Sequence, residues 1–160
     1  MPKLNKILII KLIFLISIVA LTSAFFIEHV LGHQPCNLCI LERIPYFLAI
    51  IIILLNYKFS HLEKYFMLLL ILIFIVAAIL SLYHLGIEQG FIKESVVCDL
   101  KNGSNSLSKE DILEQLQQKN VSCQDVTFKI FGLSLTSYNI LISFILSLSV
   151  VKVYFNYEKN

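Results

Sequence analysis

The sequence predicts an all-α membrane protein, a four transmembrane helix bundle with a short first and a long second loop on one face. Three observations carry that prediction. Of the 160 residues, 58% are hydrophobic and only 15% charged, with a mean hydropathy of +0.80; soluble domains carry roughly 25% charged residues. The apolar residues fall in four runs, about Ile7–Ile27, Ile40–Tyr57, Tyr65–Leu85 and Tyr138–Phe155, each near the roughly 17–25 residues that cross a bilayer. Runs this continuous leave no polar face for water, which argues against an apolar soluble protein. Lysines mark alternate connections: Lys3 and Lys6 before the first run, Lys58 and Lys64 after the second, Lys152 and Lys159 at the end of the fourth. The positive-inside rule places these three segments together in the cytoplasm, with both termini. The whole chain, 1–160, reads as a single integral membrane domain in the lipid bilayer. A net charge of +2, spread along the chain, gives no footprint for nucleic acid.

The first run follows Lys3, Lys6 and Lys11 and contains Thr22-Ser23-Ala24, features shared with a cleaved signal peptide. Its spanning length and the spans that follow favour an uncleaved first helix. It closes on Phe25-Phe26, an aromatic pair suited to a membrane interface. The first outer loop, about 28–39, holds Gly32 and Pro35. Pro35 is placed like a first helical residue, which puts Cys36 and Cys39 in the first turn of helix 2. Pro45 competes with that reading, because it disfavours helix at Ile44 and removes a donor. Helix 2 therefore begins either at Pro35 with a kink or near Ile44. Spanning requires Ile40 and Leu41 as well, which puts Glu42 and Arg43 at the outer interface. The short link Lys58–Lys64 makes helices 2 and 3 an antiparallel hairpin. Helix 3 ends in Tyr83-His84-Leu85-Gly86-Ile87-Glu88, with His84 at a depth similar to Arg43. The long outer loop, about 86–137, has five lysines against seven acids and no positive excess to hold it inside. Within it, Ser108 as N-cap with Leu107 and Ile112 as a staple predicts a short amphipathic helix, lying on the membrane or in solvent. The polar stretch Lys101–Ser106 is expected to be mobile. Ile130–Leu135 returns the chain to the membrane.

All four cysteines, Cys36, Cys39, Cys98 and Cys123, fall in the two outer loops, which points to an oxidising compartment such as a bacterial periplasm. Of three possible pairings, Cys36 with Cys39 and Cys98 with Cys123 is the natural first. Three chemistries compete. Two structural staples are one, although a C-x-x-C ring closes too small a loop to stabilise much by chain entropy. A zinc site from the thiolates with His29, His33 or His84 is the second, although structural zinc motifs show two close ligand pairs. A redox relay between the loops is the third, and small C-x-x-C rings are the usual redox form. Arg43, the only arginine among 13 basic residues, favours the relay. Four residues after Cys39, it shares a helical face with it, and a fixed positive charge there lowers a thiol pKa. Arginine also keeps its charge at a membrane boundary. The plainer roles are snorkelling or pairing with Glu42 for Arg43, and capping helix 3 for His84.

These residues together resemble the disulfide bond formation protein B (DsbB) family, the bacterial membrane thiol:quinone oxidoreductases. The resemblance covers nearly the whole chain. It rests on four helices, P-C-x-L-C-I-x-E-R as Pro35–Arg43, two lone cysteines in a long second outer loop, Tyr83–Glu88 closing helix 3, and Gly132–Leu135 before helix 4. C-x-x-C alone is a weak motif; with the arginine four residues on, between helices 1 and 2, it is specific. The resemblance implies an inner-membrane enzyme that reoxidises a periplasmic DsbA-like dithiol oxidase of thioredoxin fold. Cys98 would be attacked by that partner, Cys123 would exchange with Cys36, and Cys39 would be freed as the thiolate that meets the quinone, ubiquinone or menaquinone. Arg43 would stabilise the charge transfer and His84 would line the quinone site; no metal is implied. The resemblance leaves the roles of Glu42, Glu88 and Tyr138 open. A tetraspan structural or metal-binding protein using the same cysteines is the alternative.

Overall fold

The computed structural model describes residues 3–93, 98, 123–124 and 129–158. Helix α1 is Lys3–His29, α2 is the short Asn37–Leu41, α3 is Arg43–Lys58, α4 is Glu63–Glu88 and α5 is Leu135–Glu158. A 3-10 turn, Ser60–Leu62, links α3 to α4. Strands β1 (Lys129–Ile130) and β2 (Leu133–Ser134) pair antiparallel just before α5. Four stretches are long and apolar enough to cross a membrane: Lys6–His29, Asn37–Lys58, Glu63–Glu88 and Leu135–Phe155. The expected loop helix at Leu107–Leu116 and the polar stretch Lys101–Ser106 lie outside the described residues.

The four long helices close a ring, α1 against α3, α3 against α4, α4 against α5, and α5 against α1. Their outward faces carry large apolar side chains, among them Leu12, Phe47, Leu72 and Phe144. That is the surface lipid requires, since hydrocarbon tails give such residues no reason to turn inward. Inside, Ile13, Ala49, Ile53, Phe74 and Leu146 form a tightly buried core. Ser17, Ser81 and Ser143 are fully buried among them. Ser17 and Ser81 return their hydroxyls to the carbonyls of Ile13 and Ala77, each at 2.9 Å. Small residues of this kind let membrane helices approach closely without stranding a polar group. At one end of the bundle Lys6 pairs with Glu63 at 2.5 Å, tying the start of α1 to the start of α4.

The second span differs from both expected starts. Pro35 lies outside the helix, Cys36 is the N-cap of α2, and a step at Glu42 separates α2 from α3. Pro45 explains the step. It has no N–H to offer the carbonyl of Leu41, the residue four positions earlier, and its ring crowds that carbonyl. Leu41 is therefore where α2 ends. Within α3, Pro45 occupies the first turn, where a missing N–H costs nothing. Helix α5 begins at Leu135, ahead of the expected Tyr138, so Thr136 and Asn139 fall in its first turns. The β1–β2 hairpin was not foreseen. Its two turn residues, Phe131 (φ 50) and Gly132 (φ 82), both take positive φ, as a two-residue type I′ turn requires.

Candidate active site

The other end of the bundle is polar, and its cysteines are paired. Disulfides join Cys36 to Cys39, with Cα atoms 5.1 Å apart, and Cys98 to Cys123, with Cα atoms 6.0 Å apart. Both pairs belong to one cluster with Leu38 and Ile87, in which Cys36 and Cys123 are buried. The α2 backbone holds them there. Cys36 Sγ accepts the N–H of Cys39 at 3.1 Å, and the Asn37 side chain donates to the Cys98 carbonyl at 3.1 Å. That last bond is a direct link between the C-x-x-C turn and the long loop.

His84 stands beneath the C-x-x-C. Its Nε2 lies 3.6 Å from Cys36 Sγ, and its Nδ1 donates to Glu42 Oε1 at 2.9 Å. Glu42 Oε2 accepts from Asn139 Nδ2 at 2.9 Å, and Asn139 also donates to Ser81 Oγ at 2.8 Å. Tyr46 donates to Asn139 Oδ1 and lies 3.2 Å from Ser143 Oγ. Thr136 donates to Glu88 Oε1 at 2.6 Å and lies 3.3 Å from His84 Nδ1. Glu88 sits one turn beyond His84 on α4, with Oε1 3.9 Å from Nε2; its Oε2 is buried without a hydrogen-bond partner among the described residues. A buried ionisable network inside a membrane span is costly unless its members satisfy one another, and such networks mark functional sites.

Arg43 is not paired with Glu42. It reaches to α1 instead, where Nη1 meets Glu28 Oε2 at 2.5 Å and the guanidinium lies 5.1 Å from the Phe25 ring centroid. Nor do Cys39 and Arg43 share one continuous helix, because the step at Glu42 intervenes. The two are brought together by a cavity. It measures about 440 Å³, and its polar end is lined by Cys36, Cys39, Glu42, Arg43, His84 and Glu88, with Cys123 beside them. The rest of the lining is mainly apolar, from Leu15, Val19 and Ala20 of α1 to Leu135 and Ile142 of α5, and also includes Glu28, Tyr46, Thr136 and Asn139. A slot with an apolar body and convergent polar groups at one end fits a flat, lipid-soluble ring.

All six residues singled out from the sequence, Cys36, Cys39, Arg43, His84, Cys98 and Cys123, therefore lie at one end of the bundle. Five of them line the cavity; Cys98 packs at the edge of the cysteine cluster. Sequence reasoning missed Tyr46, Thr136, Asn139 and the Glu28 partner of Arg43. A signal for two of them was present: Thr136 and Asn139 are polar residues at the mouth of an apolar run.

The comparisons with known proteins agree with this arrangement. The family model described as Disulfide bond formation protein DsbB matches residues 6–153. An uncharacterized protein of Rickettsia prowazekii (strain Madrid E) is 32% identical over 147 residues, which cover 91% of this chain and 86% of that protein. No solved structure matches the chain. A bundle of four membrane-length helices with its cysteines paired at one end, matched by that model over nearly its whole length, places this multi-pass membrane protein in the disulfide bond formation protein DsbB family.

Proposed function

We propose that the protein reoxidises a reduced periplasmic dithiol oxidase of thioredoxin fold, DsbA-like, and passes two electrons to membrane quinone. The observation that carries this reading is the cavity: a mainly apolar slot lined also by the Cys36–Cys39 disulfide, Arg43, His84 and Cys123. Family membership implies an oxidoreductase acting on disulfides. When bound, the quinone supplies the two-electron acceptor.

The chain's own residues act in sequence. Cys98, partly buried at the edge of the cysteine cluster, takes the partner's thiolate into a mixed disulfide and Cys123 leaves; the partner's second thiolate then displaces Cys98 and the partner departs oxidised. Cys123 lies in the same buried cluster as Cys36, so its thiolate attacks Cys36 and Cys39 is released. His84 Nε2, held toward Cys36 by the Glu42 bond on Nδ1, is positioned to take or return the thiol proton. Arg43 supplies the fixed positive charge that holds Cys39 as a thiolate. Its tie to Glu28 and Phe25 sets where that charge sits. The apolar walls exclude water from the thiolate. In this reading the cysteine end faces the periplasm, the lysine-rich end and both termini face the cytoplasm, and the membrane is the bacterial inner membrane. A partner oxidase near −120 mV leaves few thiol couples able to reoxidise it, which is why a quinone is required.

The test is anaerobic mixing of the quinone-loaded protein with a reduced thioredoxin-fold oxidase while quinone absorbance is followed. Loss of the quinone band with stoichiometric oxidation of the partner supports the reading. A partner that stays reduced while the four cysteines remain paired overturns it.

A further inference from the structure

We propose that, once the Cys36–Cys39 bond opens, this end of the bundle is a binding site for a divalent, borderline-soft cation, zinc in the first instance. The ligands are Cys36 Sγ, Cys39 Sγ and His84 Nε2, and Glu88 is a nearby carboxylate on the His84 side. The donor atoms of Cys36, Cys39 and His84 all lie within 4.8 Å of one another. A tetrahedral zinc with a sulfur at about 2.3 Å and a nitrogen at about 2.0–2.1 Å separates those two donors by about 3.6 Å. Cys36 Sγ and His84 Nε2 are 3.6 Å apart. The C-x-x-C spacing supplies a close ligand pair.

Three further features point to a cation. His84 Nδ1 donates to Glu42 Oε1, the carboxylate–histidine arrangement that fixes the ring and leaves Nε2 as the metal-facing atom. Glu88 has one buried oxygen without a partner among the described residues, and its other oxygen is 3.9 Å from His84 Nε2. Three carboxylates, Glu28, Glu42 and Glu88, line the cavity beside the single arginine.

The site exists only in the reduced protein. Opening the disulfide takes two electrons and two protons, supplied by a dithiol, and gives two thiols. Zinc then binds both sulfurs as thiolates and releases two protons to solvent; no electron moves in that step. A metal held there blocks re-formation of the Cys36–Cys39 bond, so zinc acts as a redox-gated inhibitor of the chain. The site rests on the proposed function only in that the pair must be reducible. A chemical reductant meets that need, so failure to bind metal and failure to reduce quinone are separate results.

The experiment uses the full chain in detergent, stripped of quinone, with Cys98→Ser and Cys123→Ser so that two thiols remain. Cobalt(II) is the probe, because tetrahedral thiolate coordination gives visible d–d bands and a sulfur-to-cobalt charge-transfer band. The reduced protein is expected to take up one cobalt per chain with both signatures, and zinc is expected to displace it. The oxidised protein is expected to show neither band. His84→Ala should weaken cobalt binding by at least the about 10–100-fold that loss of an outer-sphere partner costs, with helix content by circular dichroism unchanged. Cobalt bound equally by oxidised protein would overturn the proposal. So would reduced protein with two titratable thiols and no charge-transfer band, or a His84→Ala variant of undiminished affinity.

Discussion

The two ends of this bundle are built on opposite principles. From mid-bundle toward the Lys6–Glu63 end, α1, α3, α4 and α5 meet through Ile13, Ile53, Phe74 and Leu146, with the Lys6–Glu63 ion pair across the outside. At the cysteine end the same helices meet through Glu28, Glu42, His84, Glu88, Thr136 and Asn139, around a cavity. The first is held by buried apolar packing. The second gives up packing for polar contacts that need one another, which is the arrangement of a site and not of a scaffold. Changes at the cysteine end should therefore alter chemistry with little loss of fold, and changes at the other end the reverse.

Four substitutions break or sharpen that contrast. Cys39→Ser should abolish electron transfer to quinone, with helix content and the Cys98–Cys123 bond retained by circular dichroism and thiol titration. Residual turnover above about 1% of the parent would remove Cys39 from the quinone step; that fraction corresponds to about 2.7 kcal/mol of barrier. Phe74→Ala, in the sealed core, should lower unfolding stability by about 3 kcal/mol, as expected for a large-to-small change at a buried aromatic. Its thiol–quinone rate, measured below the unfolding transition, should stay within about twofold. Arg43→Lys should slow quinone reduction by about tenfold, since a lysine cannot reproduce the planar fork that meets Glu28 or the stacking over Phe25. Equal rates in the two proteins would show that charge alone suffices. Lys6→Ala should cost no more than about 1 kcal/mol, the range of partly exposed ion pairs, with no change in rate. Thermal melts in detergent read both stability effects.

The helices were legible in the sequence because a bilayer imposes a length and a polarity on every span. Pro45 was legible as a source of trouble in the second span. Its outcome, an end at Leu41 and a restart at Arg43, depends on where the chain also finds packing for Leu38 and Cys36. The cysteines and Arg43 stood out as residue types. Their partners did not. Glu42 is adjacent to Arg43 in sequence, yet it turns to His84, 42 residues away, and Arg43 turns to Glu28. Neighbours along a helix point in different directions, so only the bundle decides which charges meet. Tyr46 and Asn139 are 93 residues apart and no local pattern couples them. The β1–β2 hairpin was hidden for a simpler reason: each strand is two residues long, too short for alternation to register.

The step at Glu42 has a mechanical consequence. A continuous helix from Cys36 to Lys58 would carry any strain at its first turn straight into the span. With the backbone ladder interrupted at Pro45, the turn Asn37–Leu41 works as a separate lever, tethered to the long loop through Asn37. A change at the Cys36–Cys39 bond therefore falls first on Asn37–Leu41, ahead of the missing hydrogen bond at Pro45.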